Sequence, residues 1–258
     1  MITHYFSRGL SAALGLLTLA VLCQTSFAAG RVTGFEPGDE SFLSIGDAGT
    51  VQLFQTDSPP EGLNQYLITT IGTNSTNEDG LVPISGHSAA TFSNLNSFFF
   101  GQTVSNQEGS GVLIPFTVAA GDTTLSFQYD FLSNEPFQTI PHADYAFDAI
   151  FTTGGALQGS VSHFQTATSV NPPNLFGTQT PFIFHTGYQT LSLNISGLAP
   201  GSYDLGIGVS DQTDTRHASG LLLDNVVTSA AAVPEPSTLG LIVVGAAGFA
   251  ALRRRIGK

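Results

Sequence analysis

The sequence predicts an all-β protein: an antiparallel β-sandwich of the jelly-roll kind, flanked by an N-terminal signal helix and a single C-terminal transmembrane helix. Three observations point there. Apolar residues alternate with period two over long stretches, which places them on one face of a strand. The breaks between these stretches are rich in turn formers, as at Ala119-Ala120-Gly121-Asp122, Gly154-Gly155 and Leu198-Ala199-Pro200-Gly201. No run of ten or more residues in the body carries a helical stripe. A barrel or a β-helix could use the same strands, but a β-helix should show a repeat of fixed period, and the chain has none.

The first 28 residues read as a secretory signal peptide. Arg8 supplies the basic start, residues 10–22 the apolar stretch, and Ser26-Phe27-Ala28 the small residues that precede cleavage. Cys23, the single cysteine, falls inside it, and Leu22 stands where a lipoprotein signal carries a small residue. Cleavage at Ala28 or Ala29 leaves a chain without thiols, so disulfides, thiolate zinc sites and cysteine catalysis are excluded.

Residues 30–230 are the expected β-sandwich domain, long enough to bury a core of their own. Between residues 30 and 232 stand only two basic residues, Arg31 and Arg216, against eighteen acids, a net charge of −16. Such a surface repels phosphate backbones, which excludes nucleic acid as a partner. It suits a secreted protein kept apart by self-repulsion, or one that holds divalent cations.

Along the body, Val112, Ile114, Phe116 and Val118 share a face, as do Leu125, Phe127, Tyr129 and Phe131, and then Tyr145, Phe147, Ala149 and Phe151. Further strands are expected at Leu191, Leu193 and Ile195, at Tyr203, Leu205, Ile207 and Val209, and across residues 221–227. Pro115 lacks a ladder donor and so marks an edge strand. Phe98, Phe99 and Phe100 read as a strand buried on both faces. Residues 73–86 and 166–180 read as long surface loops.

Three blocks bracket the body: Gly34-Phe35-Glu36-Pro37-Gly38-Asp39; residues 121–135 followed by Asp144-Tyr145-Ala146-Phe147; and Ser219-Gly220-Leu221-Leu222-Leu223-Asp224-Asn225-Val226. Together they resemble the secreted bacterial jelly rolls of galactose-binding-like and carbohydrate-binding modules. One departure stands out, since the chain has no tryptophan on which a sugar ring would stack. The resemblance implies that the first and last strands are neighbours, bringing Glu36 and Asp39 near Asp224. Three converging carboxylates repel unless a hard cation lies between them, so these residues are the candidate calcium site. As plain turn and strand-end residues they would need no ion. A second candidate cluster is Asn134, Glu135 and Asp144 with Asp211 and Asp214; its alternative is a set of solvated loop acids.

Catalytic patterns are missing. His87, His142, His163, His185 and His217 are scattered, no pair has the spacing of a helical zinc site, and the body contains no lysine for a phosphate loop. Gly109-Ser110-Gly111 lacks the spacing of a nucleophile elbow. With eighteen acids, some pair of carboxylates always looks like a glycosidase, which gives the pattern no weight.

The chain closes on residues 233–258: a Val233-Pro234-Glu235-Pro236-Ser237 turn, an apolar stretch, and a basic end of Arg253, Arg254, Arg255 and Lys258. The two prolines stop any helix or strand. Residues 238–252 form the expected transmembrane helix, and the arginines hold its end on the cytoplasmic side. The order of motif, span and basic cluster resembles the PEP-CTERM sorting signal of Gram-negative bacteria. That resemblance implies export, recognition of Pro234-Glu235-Pro236 by an exosortase in the inner membrane, cleavage near Pro236, and delivery to the cell surface or extracellular matrix. The chain as a whole therefore reads as a non-enzymatic structural or binding component of exopolysaccharide or biofilm. A calcium-dependent carbohydrate-binding module is the alternative, and a secreted hydrolase the third.

Overall fold

A computed structural model describes residues 30–39, 42–55, 57–72, 81–105, 107–134, 144–167, 174–175, 182–212 and 217–230, with backbone alone at Arg31, Asn174 and Leu175. They belong to one compact unit, Ala29–Ala230. The expected signal helix, the Pro234-Glu235-Pro236 motif, the helix at 238–252 and the arginine cluster lie outside the described residues. Among those described, no helix is long and apolar enough to cross a membrane.

The strands are β1 (Gly30–Thr33), β2 (Leu43–Ile45), β3 (Asp47–Val51), β4 (Gln65–Thr69), β5 (Ala90–Thr91), β6 (Glu108–Val118), β7 (Asp122–Ser133), β8 (Tyr145–Thr152), β9 (Ser162–Thr166), β10 (Asn174–Leu175), β11 (Phe184–His185), β12 (Gln189–Asn194), β13 (Gly201–Ser210) and β14 (Ser219–Ala230), with one short helix, α1 (Phe92–Phe98). One sheet runs β10-β11-β7-β14-β4-β3, with β1 added to β14 and β12 to β7. The other runs β2-β6-β13-β8-β9, with β5 added to β6. Every described pairing is antiparallel. The first strand does lie beside the last, Arg31 opposite Val227.

The alternating residues do what their period requires. Val112, Ile114, Phe116 and Val118, Leu125 to Phe131 by twos, and Tyr203 to Val209 by twos fill one core between the sheets. Tyr145, Phe147, Ala149 and Phe151 also share a face, but it is the outer one. There Leu95, Phe99 and Val104 cover them. The outer face of the first sheet is covered too, by Phe54, Phe182 and Ala218 over Leu67, Leu132 and Leu222. Both faces of the central strands are thus dry, which is why all five residues of β4 are buried.

The phenylalanine triplet is not a strand. Phe98 ends α1, Phe99 caps it, and Phe100 takes a left-handed φ of 55°. Phe100 N–H donates to the Ser97 carbonyl and Gly101 N–H to that of Asn96, the paired bonds that close a helix when a left-handed residue follows its cap. Phe99 then lies fully buried on a floor of glycines, because a Cβ at Gly111 would come within 2.6 Å of its ring and one at Gly206 within 2.8 Å. Pro115 sits at a local edge of a strand that is paired on both sides elsewhere. Its strand lies between β13 and β2, yet β2 reaches only Leu113, so Pro115 faces Asp204 on one side and no described strand on the other.

Candidate functional site

The turn after β1 places the first two expected calcium ligands. Asp39 Oδ2 accepts from Thr33 Oγ1 (3.1 Å), Gly34 N–H (2.9 Å) and Glu36 N–H (2.8 Å), so it closes its own turn. Glu36 reaches away from it. Its Oε1 accepts from the N–H of Leu63 (2.5 Å) and Asn64 (2.9 Å), and its Oε2 from Asn64 Nδ2 (2.8 Å). Asp224 holds the same loop from the other side, Oδ2 accepting from Glu61 N–H at 2.8 Å and Oδ1 from Asn225 N–H at 2.7 Å. A β-bulge after Asp224, with Asn225 at φ 50°, aims it there. Burial raises the Asp224 carboxyl to about 6, with the Glu61 and Glu36 charges adding and the two N–H donors opposing. Glu36 and Asp224 therefore clamp residues 61–64 while Asp39 closes its own turn: among the described residues the three do not form a set of donors within 4.8 Å of one another. Gly62 shows how tight the clamp is, since a Cβ there would lie 2.0 Å from Glu36 Oε1.

Glu135 and Asp214 of the second expected cluster lie outside the described residues. Its other members are buried. Asn134 Oδ1 accepts from Ile183 N–H at 2.8 Å, the Asp144 carbonyl accepts from Ala167 N–H at 2.8 Å, and Asp211 N–H donates to the Glu108 carbonyl at 2.9 Å.

Two other features stand out. One is a cleft of about 500 Å³ lined by Phe35, Glu36, Pro37, Asp39, Phe42, Thr50 and Asn64. Phe35, at φ 58°, stacks on Tyr66 with ring centres 5.1 Å apart, and the half-buried Phe42 meets both rings edge-on. Its wall is aromatic and its rim acidic.

The other is a buried polar cluster on the outer face of the first sheet. Asp130 sits mid-strand in β7, on the side opposite Tyr129 and Phe131, and is fully buried. β11 pairs with β7 and sets His185 opposite Leu132, while a tight Phe54–Asp57 turn brings Asp57 over the sheet. His185 Nδ1 stands 3.0 Å from Asp130 Oδ2 and 3.2 Å from Asp57 Oδ2. Asp130 Oδ1 accepts from both Thr186 N–H and Thr186 Oγ1 at 3.0 Å. Burial, then the Asp130 carboxylate beside it, push the Asp57 carboxyl up to about 7, with His185 opposing. Tyr188 donates to Gln65 Oε1, and burial with the Asp130, Asp224 and Asp57 charges pushes its phenol up. Gln65 Nε2 donates to the Asp57 carbonyl at 3.0 Å. No partner for His185 is legible in the sequence, because its two carboxylates come from a loop and a strand remote in the chain. The one available signal was an aspartate in the middle of a strand whose neighbours on both sides are apolar or aromatic.

A cellulose-specific carbohydrate-binding module, CBM28, aligns over 79% of this chain and 98% of its own at 8% identity and a TM-score of 0.41. TmCBM61, solved with β-1,4-galactotriose, aligns over 73% and 88% at 7% identity and 0.37. The K2 cleaved adhesin domain of Lys-gingipain aligns over 80% and 98% at 9% identity and 0.37. No curated protein sequence matches the chain. Residues 232–255 match the family model described as PEP-CTERM protein-sorting motif, and the chain accordingly carries the address of an exported protein that an exosortase processes at the membrane.

Proposed function

We propose that the β-sandwich is cargo delivered by this tail to the cell surface or extracellular matrix, where it acts without catalysis as a structural or binding component of the exopolysaccharide layer. The observation that carries this reading is the sorting motif at residues 232–255. The strongly acidic body supports it, because self-repulsion keeps an exported domain soluble among other polymers. The test is fractionation of cells producing the full chain with an epitope tag in the body, with and without an exosortase. The tag should reach the medium or surface polymer in a shortened form only when the exosortase is present, and Glu235→Gln should hold it in the membrane. Release that ignores both changes sinks the proposal.

A second reading, saccharide binding, is favoured by the cleft at Phe42, where an aromatic wall faces the acidic rim of Glu36 and Asp39. Calcium is left out of it, because those carboxylates already accept hydrogen bonds from N–H and O–H donors. On a glycan array Phe42→Ala should lose signal that chelator leaves untouched. An array on which the unaltered chain binds nothing removes this reading and leaves the first standing.

A further inference from the structure

We propose that Asp57, Asp130 and His185 bind one divalent transition-metal ion of the zinc class, through Asp57 Oδ2, Asp130 Oδ2 and His185 Nδ1. The three donors come from a loop, β7 and β11, and all lie within 4.8 Å of one another. Around a tetrahedral ion with bonds of about 2.0–2.2 Å, neighbouring ligand atoms stand roughly 3.3–3.6 Å apart. The imidazole nitrogen lies 3.0 and 3.2 Å from the two carboxylate oxygens, so a shift of a few tenths of an ångström opens the space.

An independent observation concerns one atom. Asp57 Oδ2 is shielded from solvent, and although it lies 3.2 Å from His185 Nδ1, no contact to it has hydrogen-bond geometry. A single N–H on Nδ1 serves one carboxylate, and its contact with Asp130 satisfies hydrogen-bond geometry. A buried acceptor left over in this way is normally met by a donor or a cation. The surrounding shell fits a metal as well. Thr186 holds Asp130 Oδ1 with two hydrogen bonds, which fixes Oδ2 toward the cluster, and the main chain of Asp57 is held by Phe54 and Gln65. Side-chain exposures of 16% at Asp57 and 13% at His185 leave a path for entry. An imidazole beside two carboxylates favours zinc-like ions, whereas calcium takes six to eight oxygens. In a domain without cysteine, such an ion would fasten the Asp57 loop and β11 onto β7, the task a disulfide does in many exported proteins.

The experiment uses the full chain in detergent, stripped with chelator and titrated with Zn2+ by calorimetry and metal analysis, with Ca2+ in parallel. One equivalent of Zn2+ should bind and raise the melting temperature until that equivalent is filled. Asp57→Asn and His185→Gln should weaken binding on the order of 100-fold or more, since even second-shell changes at such sites cost about 10–100-fold. His87→Gln, an exposed histidine away from the cluster, should leave it unchanged. If circular dichroism shows either site variant unfolded, protection of His185 in the unaltered chain from diethyl pyrocarbonate by Zn2+ decides instead. Less than stoichiometric binding, binding kept within threefold in both variants, displacement of Zn2+ by Ca2+, or no protection of His185 each overturns the proposal.

Discussion

Asp148→Asn should stabilise the protein at neutral pH and do almost nothing in acid. Asp148 lies on β8 with its side chain on the face shared by Ala146 and Ile150, between the sheets and opposite Ile207. It is 5% exposed, and its Oδ1 meets no hydrogen-bond donor among the described residues. Burial alone raises its carboxyl from 3.8 to about 6. The folded state therefore holds this proton more tightly than the unfolded chain does, and its stabilising effect is complete below about pH 4 and lost as pH rises through 6. Two pKa units correspond to about 3 kcal/mol, a large share of a typical stability of roughly 5–15 kcal/mol. The amide keeps the shape and polarity of the side chain but has no charge to desolvate. Urea unfolding of both proteins from pH 3.5 to 8 measures the difference, which should grow from near zero to about 3 kcal/mol in favour of the variant. A flat difference across that range, or a variant less stable at pH 8, refutes the reasoning.

Phe99→Ala should cost about 3–5 kcal/mol, and Gly206→Ala about 1–3 kcal/mol through overpacking. Because the new Cβ at Gly206 meets the Phe99 ring at 2.8 Å, the pair should be less harmful than the sum by at least 1 kcal/mol, and additive losses in denaturant would place the ring elsewhere. Glu36→Ala should free the amides of Leu63 and Asn64, so their hydrogen exchange should speed up while that of β13 stays unchanged; equal protection in both proteins would show that the clamp is not what holds residues 61–64.

Strand identity was legible in the chain wherever one face is buried, because a period of two survives any arrangement of the sheets. Leu125, Phe127, Tyr129 and Phe131 needed no partner to be read. The triplet Phe98-Phe99-Phe100 was misread because apolar runs look alike in a strand and in the last turn of a short helix, and the deciding hydrogen bonds run to Ser97 and Asn96. The carboxylates of Glu36, Asp39 and Asp224 were visible as acids near paired strands, but which donors Glu36 and Asp224 meet depends on loop 61–64, whose position no local pattern encodes.

By itself the sequence determined the address of the protein and the β nature of its cargo, since a sorting motif and a two-residue period are both local features of the chain. Only the tertiary structure decided which polar groups became a site. Asp57, Asp130 and His185 meet because β11 docks on β7 and a tight turn closes over them, and contacts across such separations are set by packing rather than by neighbours in the chain.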